Sequence, residues 1–62
     1  MKYGKGTVFE AYGEIYAVVG KLYIVNDSYV LAPQDEENIE VLIYTDTEIE
    51  EGIEEGWLVI KK

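Results

Sequence analysis

The chain has no cysteine and no histidine. Without cysteine there is no disulfide framework and no thiol nucleophile. Without either residue there is no zinc finger and no c-type haem site. The lack of histidine also removes every His-based catalytic triad. Arginine is missing, so the five basic residues are all lysine. That is a poor set for neutralising the phosphates of a nucleic-acid backbone. No apolar run approaches the roughly 18 residues that a membrane span needs. Glu10 interrupts the apolar residues that follow the first lysines, so no signal-peptide core is expected. These absences lead to the expectation of a cytoplasmic protein without metal, cofactor or enzymatic activity.

What remains is 62 residues, room for one small domain over 1–62 and no second. A chain this short buries only about 60% of its unfolded surface, so its core is marginal without help. Disulfide and zinc staples being absent, the remaining helps are dense apolar packing, oligomerisation or a bound partner. Apolar residues make up 48% of the chain, enough for a real core. Val, Ile and Thr number 17 and the aromatics 8, an excess of types that fit a pleated sheet. The scarcity of Met, Gln, Asn and Cys beside abundant Glu, Ile and Tyr is a composition shared with heat-adapted proteins.

Period-two alternation predicts strands over Thr7–Tyr12, Glu14–Val19, Leu22–Val25, Tyr29–Ala32, Ile39–Thr45 and Trp57–Ile60. Gly4-Lys5-Gly6 reads as a flexible entry, too short to cradle a phosphate. Gly13 marks a turn, Gly20-Lys21 has the pattern of a two-residue hairpin, and Asn26-Asp27 of another. Pro33 ends the fourth strand. Thr47 and Glu50 have capping-box spacing and begin a single helical turn, with Ile49 and Ile53 on one face and Gly52 and Gly56 as stops. Five or six short strands with one helical turn before the last predict an all-β, closed or nearly closed small barrel. An SH3-like barrel is the first choice and an OB-like barrel the second, since closure removes exposed edges.

Charge is divided by position. Residues 1–33 balance three acids against three lysines, and the whole formal charge of −8 falls in residues 34–62. From Gln34 to Glu55 there are ten carboxylates and no base. Such a run keeps a small protein soluble, and it also suits docking on a basic surface, where its field would steer the encounter. The candidate docking residues are Asp35, Glu36, Glu37, Glu48, Glu50, Glu51, Glu54, Glu55 and the adjoining Trp57. The expected partner is a basic protein surface, of the kind found on clamps, polymerases or nucleases. A variant of that reading is DNA mimicry, with carboxylates standing in phosphate positions.

Other candidates are weaker. Asp46, Glu48 and Glu50 alternate like the start of a calcium loop, but the positions that need Gly and Glu hold Glu51 and Trp57. Asp35, Glu36 and Glu37 with Glu40 would hold a hard cation only loosely, since carboxylate clusters of this kind rarely supply six or more converging oxygens. Paired-carboxylate hydrolysis needs a cleft, which a barrel of this size has little wall to form. Ser28 follows Asn26-Asp27 and reads as a turn residue. Tyr12, Tyr16 and Tyr23 form a candidate aromatic patch for an interface or for stacking single-stranded bases. A self-associating homo-oligomer joined through a strand edge or the tyrosines is the second reading, and a single-strand binder using the tyrosine strip is the third.

Overall fold

Five strands and one helix follow one another along the chain: β1 (Val8–Ala11), β2 (Glu14–Tyr23), β3 (Asp27–Pro33), β4 (Leu42–Thr45), α1 (Asp46–Glu55) and β5 (Leu58–Lys61). The computed structural model describes residues 3–23 and 27–61. All pairings are antiparallel, and the sheet order is β4-β3-β2-β1-β5. The first four strands form a meander, and β5 returns to the far side to pair with β1. The sheet curls into a half-barrel. α1 packs against β4 and β5, the two outermost strands, and so spans the seam that hydrogen bonds leave open. Among the described residues no helix is long and apolar enough to cross a membrane.

The expected hairpin at Gly20-Lys21 is replaced by a single long strand. β2 runs through both residues, with Val18 opposite Leu31 and Gly20 opposite Val30, leaving Val19 as the extra residue of a β-bulge. Glycine in a strand often marks such a bulge, which bends the strand and increases its twist. The pairing with β3 continues as far as Tyr23 opposite Asp27. The separate strand expected over Leu22–Val25 is therefore the end of β2 as far as Tyr23. Ile24, Val25 and Asn26 lie outside the described residues. Asp27 begins β3, and its carboxylate pairs with Lys21 Nζ at 2.9 Å.

Gly4-Lys5-Gly6 is a tight turn. Thr7 donates to the Gly4 carbonyl from its amide at 3.1 Å and from its hydroxyl at 2.7 Å, and Gly6 N donates to Val18 O at 2.9 Å. This turn lays Tyr3 on the core, edge-on to Phe9 at 5.5 Å and to Tyr29 at 5.4 Å between ring centroids.

The helix is ten residues long, more than the expected single turn, and its cap sits two residues earlier than Thr47. Thr45 is the N-cap: its hydroxyl accepts from Glu48 N at 3.2 Å, and Glu48 Oε1 accepts from Thr45 N at 2.9 Å. Two overlapping Thr-x-x-Glu frames compete here. The Thr45 frame places Ile49 at the fourth helical position, where it is fully buried and matches Tyr44 just before the cap, as in a hydrophobic staple. Gly56 ends the helix in the left-handed region at φ 90°, with its amide on the carbonyls of Gly52 and Ile53. Gly52 is no stop. It lies within the helix, where a Cβ would stand 2.9 Å from the Trp57 ring and 3.0 Å from Leu58 Cβ. Ile53, expected on the face of Ile49, is exposed instead.

The core is built on the inner face of the sheet from Phe9, Ala11, Tyr16, Val18, Tyr29, Leu31 and Leu58, closed by Ile49 from the helix and Tyr3 from the entry turn. Each large apolar side chain buried there contributes about 1.5–3 kcal/mol. The long strand expected from Ile39 is shortened to Leu42–Thr45. Leu42 and Tyr44 pack on the core, while Ile39 is 90% exposed in the loop before the strand.

Candidate functional site

β1 and β2 are joined by Tyr12 and Gly13, both with positive φ (55° and 75°), between the paired residues Ala11 and Glu14. A two-residue hairpin needs this twist, and Asn-Gly is its usual sequence. Tyrosine in the left-handed region costs about 1–2 kcal/mol. The cost is offset by contacts that only this ring can make. Tyr12 stacks on Trp57 with centroids 5.6 Å apart and planes 22° apart, and its hydroxyl lies 3.2 Å from that of Tyr44. An aromatic pair contributes about 0.5–1.5 kcal/mol, and the hydroxyl contact adds a comparable amount.

Trp57 is the hub. It meets Tyr44 edge-on at 5.7 Å, rests on Gly52, and donates from Nε1 to Glu55 Oε1 at 2.9 Å. Tyr44 belongs to the edge strand β4, whereas Tyr12 and Trp57 flank β1 and β5. In the sheet order two strands lie between β4 and β1 and three between β4 and β5, so their contact reports the curl. Tyr44 and Trp57 are half-buried, and Tyr12 is 65% exposed. The Tyr44 phenol is held well above the usual tyrosine range, first by burial, then by the Tyr12 hydroxyl and by the negative charge of Glu48.

The acids divide by role. α1 carries six of them, Asp46, Glu48, Glu50, Glu51, Glu54 and Glu55, and no base in its last turn. Asp46 and Glu48 complement the positive end of the helix, but Glu54 and Glu55 crowd its negative end. Glu51 and Glu55 are a like-charge pair four apart, costing about 0.2–0.5 kcal/mol. The helix therefore forms against its own charge, held by its caps and by Ile49 and Gly52. Two of the predicted docking acids serve the fold directly, Glu48 in the cap and Glu55 on the indole.

Asp35, Glu36 and Glu37 are exposed in the β3–β4 loop, where Asp35 Oδ1 accepts from Glu37 N at 3.0 Å. Gln34 N donates to Ile15 O at 2.9 Å, so this loop leaves the sheet at the end where the Tyr12-Gly13 turn lies. Leu58 is opposite Ala11 at that same end, which brings Trp57 and the helix terminus there as well. No group of three acids among the described residues is placed to hold a metal.

The expected strip of Tyr12, Tyr16 and Tyr23 is not assembled. Tyr16 points into the core, and Tyr23 lies at the far end of β2. Tyr44, absent from the sequence-based candidates, takes the place beside Tyr12. The available signal was Tyr-Gly at a turn that normally takes Asn-Gly. No protein-family model, no curated protein and no solved structure matches the chain.

Proposed function

We propose that the protein is a non-catalytic binding module, an inhibitor or adaptor, that docks its acidic helix and the adjoining β3–β4 loop on a basic protein surface. Its barrel is read as SH3-like: four strands in a meander, a helix, and a fifth strand returning to β1. The observation that carries the functional reading is the composition of α1. A like-charge pair and a last turn that carries acids and no base are retained where Lys or Gln would make a more stable helix. A basic surface relieves that repulsion when it binds, so the stability given up in the free protein returns as affinity.

Charge reversal tests this at residues that do not hold the fold. The variant combining E36K, E37K, E51K and E54K leaves the cap and the indole contact in place. It is expected to lose at least about tenfold in affinity for a basic protein captured by the wild type, with unchanged helix content. Equal capture by both proteins means that the charge only solvates.

Self-association is a second reading, favoured by the outer face of the sheet. Strand register places Val8, Ile15, Ala17, Val30, Ala32, Ile43 and Val59 on that face. Its charged residues Glu10 and Lys61 form an ion pair at 2.9 Å. A concentration-dependent melting temperature, abolished by Ile15→Lys, is the expected sign; a strictly monomeric mass in solution excludes it.

A further inference from the structure

The Tyr12 ring is fixed from two sides and open on a third. Trp57 covers one face, the Tyr44 hydroxyl holds its tip, and yet the residue remains 65% exposed. Trp57 is itself held by Glu55, whose carboxylate lies 2.9 Å from the indole nitrogen. An aromatic surface at a turn, already ordered before any ligand arrives, loses little freedom on binding. We propose that the open face of Tyr12 is a platform for an arginine side chain in a basic peptide segment of the partner. This inference rests on the acidic-docking reading above and names the group that docking would recognise.

The charge around the platform selects its ligand. A π-face accepts either a base or a cation, but this chain carries −8 and no arginine, which repels the phosphates that accompany stacked bases. A cation is favoured by the ring quadrupole and by the acids of the helix end together. Between the two cationic side chains the ring geometry favours arginine. Its guanidinium is planar and weakly hydrated and stacks flat while forking to a carboxylate, whereas an ammonium is a compact, strongly hydrated charge.

The test is calorimetric titration with blocked hexa-arginine and hexa-lysine peptides of equal charge, at low salt. The wild type is expected to bind the arginine peptide about threefold tighter or more. Tyr12→Phe should keep that preference, because the ring remains. Tyr12→Asn places in the turn the residue its backbone favours, so its fold is expected to persist, with circular dichroism as the check. The preference should then fall to about one while charge-driven binding of both peptides continues. The variant combining E51K and E54K should weaken both peptides alike and leave the preference in place. Equal affinities in the wild type, or a preference that survives Tyr12→Asn, overturn the platform and leave acidic docking standing. No binding of either peptide overturns both.

Discussion

The two faces of the sheet are nearly equal in apolar character and opposite in fate. The inner face presents Phe9, Tyr16, Tyr29, Leu31 and Leu58, all buried, under a cover made by α1 and the Tyr3 turn. The outer face presents Val8, Ile15, Ala17, Val30, Ala32, Ile43 and Val59, and no element of the described chain crosses it. Side-chain size differs between them. Large rings and leucines supply most of the concave side, with Ala11 and Val18 fitted among them, while the other is lined by Val, Ile and Ala without a ring. Alternation identifies two faces, but when both are apolar it is the covering element that decides which becomes the core.

The sharpest way to break this comparison is to make one substitution on each side. Ile49→Ala, in the cover of the inner face, is expected to cost about 2–5 kcal/mol, a large share of the stability of so small a domain. Ile15→Ala on the outer face should cost less than about 1 kcal/mol. Urea unfolding curves measure both, and equal losses would erase the distinction between the faces. Next is Gly52→Ala. Helix propensity alone predicts a gain of about 1 kcal/mol, yet the added Cβ meets Trp57 and Leu58 at 2.9–3.0 Å. A net loss of about 1–3 kcal/mol is expected, with a shift in Trp57 emission as the indole moves.

Smaller effects test how the cover is held. Thr45→Ala should cost about 1 kcal/mol through the lost cap, and Thr47→Ala only a few tenths; thermal melts of the two variants separate the competing frames. The smallest effect is in alkaline solution. Burial and their neighbours raise the phenols of Tyr3 and Tyr44 above the ordinary value of 10.0. A group whose pKa is raised on folding contributes stability in full below its unfolded pKa and loses it as pH rises through the folded one. Stability should therefore decline above about pH 10, and Tyr44→Phe should flatten that decline. An identical slope in the variant would mean that Tyr44 is not shielded by the seam.

Much of the architecture was legible in the sequence. The small β fold, the strands around Phe9, Tyr16 and Leu31, the turn at Gly13 and the helical segment before the last strand all follow from period and turn chemistry. Gly20 misled because a glycine between apolar runs fits a hairpin and a bulge equally well, and only the pairing partner on β3 distinguishes them. The cap was displaced because two Thr-x-x-Glu frames overlap, and the winning one depends on Ile49 reaching the core. Gly52 looked like a stop because its role is a close approach between helix and indole, which leaves no local trace. At the candidate site the acids and Trp57 were visible as composition. The Tyr12–Trp57–Tyr44 cluster was not, since Tyr12 lies 32 residues before Tyr44 and 45 before Trp57 and they meet only when the sheet curls.

By itself the sequence determined the chemistry available: a β-rich chain without cysteine, histidine or arginine, with all of its net charge in the second half. These are properties of residue types and their local order, and no fold can alter them. Tertiary structure alone decided which of two apolar faces became the core, that β2 passes straight through Gly20, and that Tyr12 stacks on Trp57 beside Tyr44. The reason is common to all three. Each is a contact between segments distant in the chain, and its free energy is gained only when the closing of the half-barrel brings those segments together.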